Sequence, residues 1–161
     1  FGSNSISFSC LTPYSGWTNW TGFFFTILEK IGKIDILQNV KINRRGLRNI
    51  NHISGNLLEN TKTTFSMDNN SLAPFNTQIH SEFDENGYLI ILTMANGIKQ
   101  PNQDIFSVFD IDCVKTVNTT FTSFNNDVIK SGLLTDLHDT NKKIFFGLLK
   151  EDFLKTLNPI Y

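Results

Sequence analysis

Arg44, Arg45 and Arg48 fall within five consecutive residues, followed at once by Asn51 and His52. Guanidinium groups are planar forks of N–H donors suited to gripping carboxylate or phosphate in two places at once. An amide and an imidazole nearby add donors for the same kind of ligand, so these five residues form the candidate ligand-binding set. Strand alternation puts Arg44, Arg48 and His52 on one face, with Arg45, Asn49 and Asn51 on the other. Val40, Ile42 and Ile50 share the face of Arg44 and Arg48. Either that face is mixed, or Gly46 marks a bulge that re-aims the side chains. The competing use of the arginines is structural, pairing with Asp and Glu of neighbouring elements, and that use is the commoner one.

Asp110 and Asp112 are the natural mates. A spacing of two places both on one strand face, inside the apolar run around Phe106, Val108 and Phe109. Two carboxylates so placed could hold a divalent cation, but no third ligand is specified. Pairing with the arginines is the better-supported expectation, and no metal or other cofactor is expected. His138 follows Leu137 on a helical stretch, where a boundary histidine making one hydrogen bond is commoner than a general acid or base. His52 and His80 lack fixed companions. No phosphate-binding glycine loop, nucleophile elbow or zinc-protease helix occurs, so no catalytic residue is assigned. Cys10 and Cys113 fit neither a disulfide framework nor a metal spacing and read as two partly buried thiols of a reducing compartment.

The elements that must position these groups follow from periodicity. Ile6, Phe8 and Cys10 alternate with serines, predicting a strand over 4–11. Thr12 to Gly16 is turn chemistry, with Ser15 as an N-cap. Trp17, Trp20, Phe24, Leu28 and Ile31 recur at helical spacing and predict a helix over 16–32, ended at Gly32, with this stripe as core. The arginine strand runs over 36–53, as one strand or two with a bend at Gly46. Residues 54–74 form a polar excursion with room for a short helix. Strands over 76–83 and 88–96 flank Asn86-Gly87, a strong hairpin signal. A further strand covers 104–114. Helices over 122–146 and about 150–157 follow, the second ending before Pro159. Consecutive antiparallel strands with helices grouped at two points predict an α+β fold: a mostly antiparallel sheet covered on one face by two main helices.

Four stretches carry a resemblance. They are Leu11-Thr-Pro-Tyr-Ser-Gly-Trp17, Arg45-Gly-Leu-Arg-Asn-Ile-Asn-His-Ile53, Phe109-Asp-Ile-Asp112, and Leu137-His138 with Ile144-Phe145-Phe146. Together they resemble a sporadically distributed bacterial family of uncharacterised proteins. That family's pattern has Pro-Tyr-x-Gly-Trp before the first helix, an Arg-x-Gly-Leu-Arg-Tyr-Ile-Asn strand and a Leu-x-x-x-His helix. Asn49 stands where the pattern has tyrosine. Residues 54–100 carry none of it. The resemblance implies an architecture and a bacterial source rather than a chemistry. Members are typically longer at the N-terminus. With a chain that opens at Phe1 rather than Met, this implies the C-terminal portion of a longer protein.

Composition sets the outer bounds. The 161 residues suit a single α+β domain, 40% hydrophobic and 12% aromatic, with phenylalanine (15 copies) as the chief core builder. A net charge of −1 gives no general attraction for phosphate backbones, so nucleic acid is not an expected partner. No apolar run reaches membrane-spanning length and no secretory leader is visible, which predicts a cytoplasmic protein. The leading expectation is a non-enzymatic binding or regulatory module for a protein partner or a small anionic ligand. A second copy of the chain and its own missing N-terminal segment are further candidate partners. The alternative is a hydrolytic or nucleotide-acting enzyme using Asp110, Asp112 and the Arg44–Arg48 strand.

Overall fold

The computed structural model describes residues 5–11, 13–64, 66–67, 70–71, 77–98, 105–122 and 133–157. The chain forms two compact units. One comprises Phe1–Asn43 with Asn118–Leu133, the other Arg44–Val117 with Leu134–Tyr161.

In the first unit, helix α1 (Trp17–Ile31) follows the predicted span closely. Its buried residues, Phe24, Leu28 and Ile31, lie on the predicted stripe, and Trp17 and Trp20 are half-buried above them. Trp20 stacks between Trp17 and Phe24, with ring centroids 5.5 Å apart on each side. The N-cap is Gly16, not Ser15, and no side chain caps the helix. Ser15 instead accepts a hydrogen bond through its carbonyl from the Asn19 side chain at 2.9 Å. Residues 5–11 form no ladder, so the alternation of Ile6, Phe8 and Cys10 does not make a strand there. Their anchor is Phe8, edge-on to Phe24 at 5.0 Å. Period-two patterning marks extended backbone, and a strand also needs a partner. Asp35–Leu37 is a single 3-10 turn rather than the start of a strand.

The second unit holds most of a four-stranded sheet in the order β1, β6, β5, β4. The strands are β1 (Lys41–Ser54), β4 (Thr77–Glu85), β5 (Tyr88–Ile98) and β6 (Phe106–Thr120). Between β1 and β4 lie a four-residue helix, α2 (Leu57–Asn60), and a two-stranded pair, β2 (Ser66–Met67) and β3 (Asn70–Ser71). After β6 come α3 (Leu133–Leu148) and α4 (Glu151–Thr156). Part of the helix expected over 122–146 falls at 123–132, outside the described residues. The fold is α+β with an antiparallel sheet, as the patterning predicts.

The β4–β5 hairpin closes at Glu85 and Tyr88. Asn86 (φ 55°) and Gly87 (φ 78°) both take the left-handed conformation of a tight two-residue turn. The β5–β6 ladder slips between Ala95 and Ile98, and Gly97 (φ 66°) supplies the backbone freedom of that bulge.

Alternation divides most of the sheet, although Val114 of β6 is buried beside Cys113. Leu47 and Ile53 of β1, Phe109, Ile111 and Cys113 of β6, and Ile90, Leu92 and Met94 of β5 point into the core. Helix α3 covers this face with Leu137 and Ile144, and Phe145 reaches Phe109 at 5.5 Å between ring centroids.

Candidate functional site

Strand β1 alternates without interruption from Arg45 to Ile53, so Gly46 re-aims nothing. Its role is close approach. A Cβ at that position would meet Asp112 Oδ1 at 3.1 Å and the Cys113 carbonyl at 3.3 Å. The five candidate residues are therefore divided. Arg44, Arg48 and His52 lie on the second face of the sheet, away from α3, whereas Arg45 and Asn51 lie on the α3 side. They do not share one face of the sheet.

On the second face, Arg48 grips Asp110 with both ends of its fork. Nε lies 2.9 Å from Oδ1, and a terminal nitrogen lies 2.6 Å from Oδ2. Arg44 reaches Asp112 with one contact of 3.4 Å. The carboxylates are the deeper partners, 14% and 24% exposed against 58% and 62% for their arginines. Burial pushes the Asp112 carboxyl above its ordinary value, against the pull of Arg44 and then Arg48. The Asp110 hydrogen bond, then its charge, pushes the Arg48 guanidinium up, so it stays charged. His52 stacks on Phe106, rings 5.5 Å apart and nearly parallel. Across β5, Thr93 stands opposite Asp110 and Ile91 opposite Asp112. Beyond them His80 Nδ1 lies 3.1 Å from the Thr93 hydroxyl. Ile50 and Leu89, 52% and 42% exposed, lie on this same face by alternation. The face is mixed, one of the two arrangements the alternation allowed.

The α3 side holds the polar groups that motif reading missed. Asn141 is fully buried on α3, and its amide donates to the carbonyls of Leu47 (3.4 Å) and Ile111 (3.0 Å). Its oxygen accepts from Asn49 at 3.0 Å. Asn51 donates to the Phe109 carbonyl at 3.4 Å. A second buried group, Asn96 and Ser107, receives the backbone N–H of Leu57 at the start of α2, at 2.6 and 3.3 Å. The signal for it was Asn96-Gly97, a turn dipeptide inside an otherwise apolar strand. Arg45 is half-buried on this side, and its charge acts on Tyr88. The Tyr88 phenol is raised by burial first and by Asp136 second. Lys115 caps its ring at 4.5 Å.

His138 is half-buried, and burial and then Lys142 lower its pKa, with Asp139 opposing. Cys113 is fully buried and its thiol is raised to about 11 by burial and by Asp112, whereas Cys10 is exposed. The pair are thus one inert core thiol and one surface thiol, not two partly buried ones. Among the described residues no group of three potential metal ligands comes together. Among them, too, no helix is long and apolar enough to cross a membrane. A shallow cavity of about 240 Å³ lies between β4 and α3, lined by Phe83, Glu85, Lys143, Ile144, Gly147 and Leu148. None of the five candidate residues lines it.

Comparison of the chain with protein-family models, with curated proteins and with solved structures finds no match.

Proposed function

We propose that this chain is a non-enzymatic binding module of a bacterial cytoplasm that recognises a protein partner through the second face of its sheet. One observation carries the reading: two guanidinium–carboxylate pairs share one face of the sheet with the exposed Ile50 and Leu89. Arginine among apolar side chains is the composition favoured at protein interfaces. The Asp110 clamp already orders the Arg48 fork, which lowers the entropy lost on docking. A small free anion fits less well, because Arg44 and Arg48 each already hold a carboxylate. The enzyme alternative would need the oxygens of Asp110 or Asp112 open to a substrate, yet Arg48 and Arg44 already hold them.

A photo-crosslinking amino acid at position 50 or 89, in the native cell, tests this. The control is position 142, which is exposed on α3. A discrete protein adduct from 50 and 89 only, lost on Arg44→Ala/Arg48→Ala, supports the reading. Adducts from all three positions alike, or none from 50 and 89, retire it. A thermal shift by nucleotides or acidic peptides that Arg44→Ala abolishes would replace it with the small-anion reading.

A further inference from the structure

Strand β4 ends the sheet order, so one of its edges takes no strand among the described residues. It is nine residues long, and Ser81 to Asp84 are all exposed, including Phe83 at 36%. The hairpin fixes which backbone groups face outward. A two-residue turn closes on a hydrogen-bonded pair, here Glu85 and Tyr88, and bonded pairs then alternate along the ladder. Residues 85, 83, 81 and 79 therefore bond to β5. The N–H and C=O groups of 78, 80, 82 and 84 point to the open edge. No backbone hydrogen bond from outside the sheet reaches these four among the described residues.

We propose that this edge pairs with β4 of a second copy, antiparallel and in a single register centred on Ser81. The side chains select that register. With Ser81 on the two-fold axis, His80 faces Glu82 of the second copy and Gln78 faces Asp84. Within one copy His80 Nε2 already lies 3.4 Å from Glu82 Oε1, so this pair is chemically matched. On the other face Ile79 meets Phe83, an aliphatic–aromatic pair of the kind that stabilises antiparallel ladders. These two sit in the non-hydrogen-bonded positions, where side chains approach most closely. The small Ser81 side chains meet at the axis without crowding. Centring on Glu82 sets that carboxylate against its own copy. Centring on Phe83 sets Glu82 against Asp84. Both put like charges face to face, which edge strands use to prevent pairing. The Ser81 register has no such clash and engages all four outward residues of each copy, roughly eight hydrogen bonds in all.

The register makes the test specific. In a Cys10→Ser background, mild oxidation of Ser81→Cys should give a disulfide-linked dimer, because only position 81 faces itself. Ile79→Cys and Glu82→Cys should not crosslink. By sedimentation the unmodified chain should be dimeric at about 100 µM, a concentration suited to a modest interface. Glu82→Pro removes an outward N–H that the fold itself does not use. It should be monomeric, with the circular dichroism of the parent. His80→Glu should weaken the dimer at least tenfold, and His80→Glu/Glu82→Lys should recover it. A monomeric parent overturns the proposal. So does a dimer unaffected by Glu82→Pro, or crosslinking equal at 79, 81 and 82.

Discussion

The Arg48–Asp110 and Arg44–Asp112 pairs look alike in sequence and differ in consequence. Arg48 holds its carboxylate by two short bonds, and Asp110 is mostly buried beneath it. Arg48→Ala leaves that carboxylate half out of water with its best donors gone, which should cost about 1–2 kcal/mol. Arg44 makes one long contact from an exposed position, so Arg44→Ala should cost about 0–1 kcal/mol. Urea unfolding of the two variants checks the order, and an equal loss would mean the fork geometry carries no weight. Asp112 gives a second prediction. Its folded-state pKa is raised, so the folded chain binds that proton more tightly than the unfolded chain does. The stability this gives is present in acid, and it is lost as pH rises from the ordinary carboxylate value near 3.8 through the raised one. Asp112→Asn removes the titration. Measured from about pH 4 to pH 6, the variant should gain on the parent as pH rises. A parent that gains instead would show that the guanidinium groups outweigh burial.

At the scale of elements, β1 works because its two faces do different jobs. Leu47 and Ile53 enter the core while Arg44 and Arg48 stay on the half-exposed side. That division was legible, since alternation is a backbone property. The pairing of Arg48 with Asp110 was legible as well, because an arginine strand and a two-Asp strand are obvious mates. The contribution of α3 was not. Asn141 sits among Lys and Thr in a stretch that reads as a solvated helix face, yet it is fully buried. Only the packing of α3 on the sheet brings it over Leu47 and Ile111, and one-dimensional periodicity does not encode that angle. Its amide joins β1, β6 and Asn49. Asn141→Ala leaves several buried groups without their donor or acceptor and should cost about 2–4 kcal/mol. Asn141→Asp keeps the shape but removes the N–H donors and should cost more. Thermal melts of both variants check this. If Asn141→Asp matched the parent, the bonds to the two strand carbonyls would be incidental. The false strand at 5–11 failed for the converse reason: local alternation was present and a ladder partner was not.

At the scale of the whole molecule, the two units differ in how much apolar side chain each removes from water. In the unit of Arg44–Val117 with Leu134–Tyr161, Ile90, Phe109, Ile111, Cys113, Leu137 and Leu149 are fully buried. They come from β5, β6, α3 and the turn after it, elements far apart in sequence. Opening any one of them exposes its contacts with the rest, so their backbone amides should exchange only when that unit unfolds. In the other unit, Phe24, Leu28 and Ile31 of α1 are buried on one stripe, and the remaining faces carry exposed residues such as Phe23. A fifteen-residue helix is marginal without its packing, and its ends fray first. Gly16 caps α1 without a side chain, so its first turn lacks the acceptor that Ser or Asp would supply. Hydrogen exchange should therefore rank the amides in a fixed order. Residues 90–94 and 109–113 should be slowest, the middle of α1 intermediate, and Trp17 to Trp20 fastest among the helical positions. Gly16→Asp would strain a backbone at φ 92° even as it added a cap acceptor, so it should bring little protection. Mass-resolved exchange at neutral pH, read peptide by peptide, decides the matter. Protection in α1 equal to that in β5 and β6 would mean the two units open as one cooperative body.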